Sequence, residues 1–132
     1  MDTDAAIAGA MRCLDDFMAA WNAQDARALE ATMNFPHVRL NGDNVLEPSA
    51  KGEITQQQLD DMRRDAPELK DWQHSGWAKR EVVAASANKI HIQTRFVRYR
   101  ADGSVLSSFD SLYVVTNEDG HWGVRMRSSF AP

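Results

Sequence analysis

The chain has 132 residues, of which 43% are hydrophobic and 26% charged. These are the proportions of one domain able to bury a core, and they exclude disordered and collagen-like chains. Fifteen Lys and Arg against nineteen Asp and Glu leave a net charge of −4, which argues against a nucleic-acid-binding domain, and no apolar run approaches the length of a membrane span.

The acidic start, Met1-Asp2-Thr3-Asp4, lacks the basic, then apolar, character of a secretory leader, so a cytoplasmic protein is expected. Thr3 or Asp4 caps a first helix, in which Ile7, Met11, Leu14, Met18 and Trp21 recur at spacings of three and four. Cys13 lies within this pattern and reads as a buried, inert thiol. With one Cys and four His in the chain, no zinc-type cluster, metal or cofactor is expected. Asp25 caps a shorter helix carrying Leu29 and Met33, and Phe35-Pro36 closes the helical region. His37-Val38-Arg39-Leu40 alternates as a strand, and Asn41-Gly42 turns it into a hairpin with Val45-Leu46. A third helix runs through Gln56, Leu59, Met62 and Ala66 and stops at Pro67. From Trp72 onwards the period is two, with strands near 77–85, 89–100, 105–116 and 121–130.

The turns set the register. Asp102-Gly103 as a two-residue turn pairs Arg95 with Asp110, and Asp119-Gly120 pairs Glu118 with His121 and Val115 with Val124. One face then carries Ile90, Ile92, Thr94, Phe96 and Arg98 with Phe109, Ser111, Tyr113 and Val115, and Trp122, Val124, Met126 and Ser128. This apolar face is expected against the helices. The other carries His91, Gln93, Arg95, Asp110, Leu112, Val114, Arg125 and Arg127. The strand at 77–85 puts charge inward in either register. Helices, a small hairpin, a helix and then long strands make an α+β ordering over a single domain, 1–132.

Several stretches together resemble the SnoaL-like, nuclear-transport-factor-2-like superfamily: Phe17…Ala20-Trp21-Asn22…Asp25, Phe35-Pro36-His37-Val38-Arg39-Leu40, Arg95-Phe96-Val97-Arg98-Tyr99 and Asp119-Gly120-His121-Trp122-Gly123-Val124. The resemblance implies a cone-shaped α+β roll, with a curved antiparallel sheet packed against three helices from the N-terminal half and enclosing a pocket. It also implies a homodimer through the outer sheet face. The superfamily includes steroid isomerases, polyketide cyclases, dehydratases, epoxide hydrolases and non-catalytic binding modules, so the fold does not choose a function. In the steroid isomerases of this superfamily a general-base Asp lies on the first short strand; here that stretch has no carboxylate before Asp43.

Among the remaining polar groups, His37 is either a general base, with Arg39 beside it on the strand, or a structural residue of the helix-to-strand turn. Arg98 falls on the apolar face, where a guanidinium needs a carboxylate, water or a ligand anion. It is therefore an ion-paired or rim-seeking side chain, or an anchor for a carboxylate or oxyanion. Asp110 with Arg95 reads as an outer-face ion pair, and becomes the fallback acid–base pair if the face assignment fails. Trp21, Phe35, Trp72, Trp77, Phe96 and Tyr113, with the hydroxyls of Thr94, Ser111 and Ser128, are candidates to line a site for a small apolar or aromatic ligand. The mixed outer face (His91, Gln93, Arg95, Leu112, Val114, Arg125, Arg127) suits a dimer interface. A small-molecule-binding domain is thus the expected function. A cofactor-free isomerase, dehydratase or cyclase and a structural dimerisation module are the alternatives.

Overall fold

In a computed structural model, which describes residues 3–45 and 48–132, helix α1 spans Thr3–Ala23 and contains both Thr3 and Asp4. The centre of its buried face is Ala6, Gly9, Ala10, Cys13, Leu14, Phe17 and Ala20. The larger Ile7, Met11 and Trp21 are only partly buried at its flanks. Small residues at the centre let the helix axis approach the sheet, and the bulky ones wrap its edges. Gly9 is required there, because a Cβ would lie 2.4 Å from the Trp122 indole. Helix α2 (Ala26–Ala31) starts as expected, with the Asp25 side chain accepting from the Ala28 N–H at 3.1 Å. Helix α3 (Gln56–Asp65) has a full capping box between Thr55 and Gln58 and ends ahead of Pro67.

Strand β1 (Met33–Asn41) begins four residues before His37 and includes the cis Phe35–Pro36 bond. Pro36 falls where the ladder is interrupted, between Met33 and Val38, as a residue without an N–H must. β1 turns through Gly42 (φ +59°) into the short β2 (Asn44–Val45), pairing Leu40 with Val45 and Asn41 with Asn44. Strands β3 (His74–Ala85), β4 (Lys89–Tyr99), β5 (Val105–Glu118) and β6 (His121–Ser129) complete one six-stranded sheet in the order β2-β1-β6-β5-β4-β3. The four long strands pair antiparallel, as expected. The six-stranded sheet as a whole is mixed, because β1 joins it parallel to β6. α1 packs across β3, β4, β5 and β6, over fully buried Leu14, Ile90, Ile92, Val115 and Val124, each such side chain contributing about 1.5–3 kcal/mol.

From Lys89–Thr116 to Arg98–Ser107 the β4–β5 register is the expected one, with Arg95 opposite Asp110. It then shifts, so that Tyr99 faces Val105 and the turn is one residue longer than the two-residue turn expected at Asp102-Gly103. β3 carries irregularities at Trp77/Lys79 and Val82/Ala84, which is why a strict alternation could not place it. Trp77 and Val82 face Phe96 and Ile92, while Arg80 escapes to the rim and pairs with Asp15 at 2.7 Å. The β5–β6 register holds from Glu118–His121 to Val115–Val124 and then shifts, so that Val114 faces Met126, Tyr113 faces Arg127 and Ser111 faces Ser129. Arg125 is the extra residue of this bulge, and everything after it changes face. Arg127 therefore belongs to the inner face rather than the outer one. Met126 (39% exposed) and Ser128, opposite Leu112, belong to the outer face rather than the inner one. Among the described residues no helix is long and apolar enough to cross a membrane.

Candidate functional site

The curvature of the sheet leaves a cavity of about 540 Å³ between its inner face, α1 and α3. β3, β4 and β5 supply Trp77, Phe96 and Tyr113, and α1 supplies Phe17, Met18 and Trp21. These aromatic walls are fixed. The Tyr113 ring meets Phe17 edge-on at 5.6 Å and Trp77 at 5.3 Å, and the Trp77 indole donates to the Leu14 carbonyl at 3.1 Å.

At one end β1 and β6 bring His37, Arg39 and Arg127 into the lining, and β4 adds Arg98. His37 is 3% exposed. Its backbone N–H and C=O are both bonded to Ser49, at 2.8 and 2.9 Å, in an isolated antiparallel bridge that anchors the backbone. Nδ1 lies 3.0 Å from the Val124 carbonyl. A carbonyl only accepts, so Nδ1 carries the proton, and Nε2 is left with a lone pair that accepts from Arg127 Nε at 3.2 Å. Burial, then the charges of Arg127, Arg39 and Arg125, push the imidazole down to a pKa of about 4, against a smaller opposing effect of the Val124 bond. The ring is neutral, but its lone pair is spent on a guanidinium and its protonated form is penalised. Its geometry is that of a group orienting Arg127, and it offers no free base to the cavity.

Arg39 sits opposite Arg127 in the β1–β6 register. Burial, followed by the charge of Arg127, lowers its pKa to about 10. The Arg127 guanidinium lies over the Phe17 ring at 5.3 Å, and Arg98 lies over Phe96 at 5.5 Å and Phe109 at 5.3 Å. Burial lowers the Arg98 pKa, with Glu68 opposing. Among the described residues none of these three guanidiniums forms an ion pair. Tyr113 adds a buried phenol whose pKa is raised by burial, against the opposing charges of Arg127 and Arg39.

Of the residues singled out from the sequence, His37, Arg98, Trp21, Trp77, Phe96 and Tyr113 line the cavity, whereas Phe35, Trp72, Thr94, Ser111 and Ser128 do not. Trp72 stands behind Trp21 at 5.7 Å with its indole N–H on Ser75 Oγ. Thr94 donates to the Ser111 carbonyl beneath the lining, Phe35 packs on the core, and Ser128 is turned away by the bulge. Asp110 and Arg95 form a half-exposed ion pair at 3.1 Å on the outer face, outside the cavity. Arg127 and Ser129 were missed because of the bulge. The signal available was Gly123, a glycine inside a strand, whose Cβ would lie 2.7 Å from the Met33 backbone. Glu53, Gln58 and Glu68 also line the cavity, and nothing in an amphipathic pattern separates them from ordinary solvent-facing residues.

The family model described as NTF2-like protein (DUF6841) matches residues 8–129. Similar solved structures include a protein of unknown function with a cystatin-like fold from Nostoc punctiforme (10% identity, TM-score 0.71, covering 92% of this chain and 86% of that one). An NTF2-like protein from Cytophaga hutchinsonii is 12% identical, with a TM-score of 0.70 over 100% of both chains. A Catenulispora acidiphila protein in complex with S-DNPA is 15% identical, with a TM-score of 0.71 over 96% of this chain and 92% of that one. At such identities the likeness is one of fold. No curated protein matches the chain.

Proposed function

The chain belongs to the NTF2-like family DUF6841, and from that premise we propose that it is a binding module whose cavity takes one small molecule with a flat apolar body. The observation that carries this is the cavity itself. Its volume of about 540 Å³ falls within the roughly 300–1,000 Å³ of small-molecule sites, and its aromatic walls with a few convergent polar groups are the usual composition of one. A filled interior would have favoured a purely structural role. The complex of the similarly folded Catenulispora acidiphila protein with S-DNPA supports the same reading. Binding is preferred to catalysis by His37, since that lone pair is engaged by Arg127.

The test is a screen of small aromatic compounds by ligand-observed NMR, on the wild type and on Met18→Trp, which places an indole in the cavity from a half-buried helix position. Hits that bind the wild type and are lost in Met18→Trp support the reading. No hits, or hits indifferent to Met18→Trp, overturn it. For the outer sheet face we propose pairing with a second copy. Leu112 lies on that face as expected, and Met126 joins it in place of Arg127, each 39% exposed. Sedimentation equilibrium of the wild type against Leu112→Glu/Met126→Glu tests it, and a monomeric wild type refutes it.

A further inference from the structure

We propose that the ligand of this cavity is an organic monocarboxylate whose carboxylate is held between Arg39 and Arg127; this rests on the cavity-binding reading above. Three observations carry it. The first is an arrangement that is unfavourable when empty. Arg39 and Arg127 are register partners on adjacent strands, so two half-buried like charges stand side by side, and among the described residues neither has a carboxylate partner. An anion between them offsets the repulsion, and paired guanidinium forks match the planar geometry of a carboxylate.

The second is that one fork is aimed. Arg127 gives its Nε to His37 and a hydrogen bond to the Tyr113 phenol, which leaves the rest of its five N–H groups for a ligand, and its position over the Phe17 ring limits where they point. His37 cannot swing away, being bonded to the Val124 carbonyl and clamped by Ser49 on both backbone groups. A buried imidazole employed to fix a guanidinium is a positioning device.

The third is the distribution of charge. Among the described lining side chains Arg39, Arg98 and Arg127 are positive, and Glu53 and Glu68 are negative. Arg98 faces Glu68 and two phenyl rings, so the unmatched charge lies on the Arg39–Arg127 side. A positive excess on that side calls for an anionic ligand, and the two planar forks match a carboxylate better than a tetrahedral phosphate. The carboxylate end is thereby placed beside Tyr113, with the apolar body directed along Phe17 and Trp77.

The experiment is calorimetric titration of the wild type at pH 7.5 with matched acid and amide pairs: benzoate and benzamide, 2-naphthoate and 2-naphthamide, decanoate and decanamide, with phenyl phosphate as the dianionic arm. At least one acid is expected to bind tenfold or more tightly than its amide. Arg39→Met and Arg127→Met are expected to bring that ratio close to one while changing the amide affinity less than about twofold. Arg127→Lys, which keeps the charge and loses the fork, serves if Arg127→Met does not fold, and is expected to lower the ratio at least threefold. Amides that bind as well as their acids, or a preference that survives both substitutions, overturn the carboxylate inference and leave the cavity reading standing. Phenyl phosphate binding above every carboxylate overturns the match of the forks to a carboxylate and with it the inference. If no member of the series binds and the aromatic screen is also empty, both fall.

Discussion

Acidification probes His37 directly. The imidazole is held neutral in the fold, with a pKa of about 4 set by burial and by Arg127, Arg39 and Arg125, whereas the unfolded chain titrates it near the ordinary 6.5. The folded value is the lower one, so its contribution to stability is complete above about pH 6.5 and is lost as pH falls from 6.5 toward 4. Worked from those two values, the loss is about 0.8 kcal/mol at pH 6 and about 2 kcal/mol at pH 5. Asp65 and Asp102, held below the usual carboxylate range by hydrogen bonds from Arg64 and from Ser104 respectively, titrate beneath this window and do not obscure it. The assay is urea unfolding at pH 7, 6 and 5 of the wild type and of His37→Asn, whose amide N–H₂ takes the place of the Nδ1–H on the Val124 carbonyl but cannot ionise. The wild type is expected to lose about 2 kcal/mol more than the variant between pH 7 and pH 5. Parallel losses would mean that folded His37 accepts a proton as readily as a solvated imidazole does, and the argument that it is a fixed, neutral support for Arg127 would fail.

Three further outcomes follow from the same geometry. Arg39→Met removes a half-buried guanidinium beside Arg127 and is expected to stabilise the ligand-free protein by about 1 kcal/mol, read as a rise in Tm; a destabilised variant shows that the charge is compensated in solution. Gly123→Ala forces a Cβ to within 2.7–2.8 Å of the Met33 and Asn34 backbone and is expected to cost about 2–3 kcal/mol in chemical denaturation; a neutral effect would mean that the β1–β6 approach is looser than described. The Cys13 thiol, pushed up to about 12 by burial and by Asp16, is expected to resist an aromatic disulfide reagent at pH 8 until the chain is unfolded in guanidinium. Stoichiometric reaction of the native protein would contradict its burial.

Local chemistry made part of the site legible. The tight turn at Asp119-Gly120 determines the start of the β5–β6 pairing by counting. At Asp102-Gly103 the loop is one residue longer than a two-residue turn, with Arg100 bonded to Ser104, and the irregularity at Arg98/Tyr99 restores the count, so that Arg95 still falls opposite Asp110. His37 and Arg39 share a strand face by simple alternation. The Asp25 cap and the stop before Pro67 follow from backbone donors and from proline geometry. Counting fails where one residue is inserted. The bulge at Arg125 reverses the face of every later position, and it took Arg127, the residue that turns a lone arginine into a pair, to the wrong side. The buried stripe of α1 was likewise misjudged, because large apolar residues advertise themselves in a sequence whereas the alanines and Gly9 at the true contact line do not.

The sequence by itself determined the α+β class, the order of the elements, the family resemblance and the central register, all consequences of short-range periodicity, caps and turns. Only the tertiary structure decided that β1 runs parallel to β6, that the sheet bends away from the helices to leave a cavity, and that Arg39 and Arg127 meet beside His37 within it. Those features pair the first strand with the last. Their energies come from contacts about 90 residues apart, such as Arg127 on His37, and such contacts leave no periodic mark on the chain.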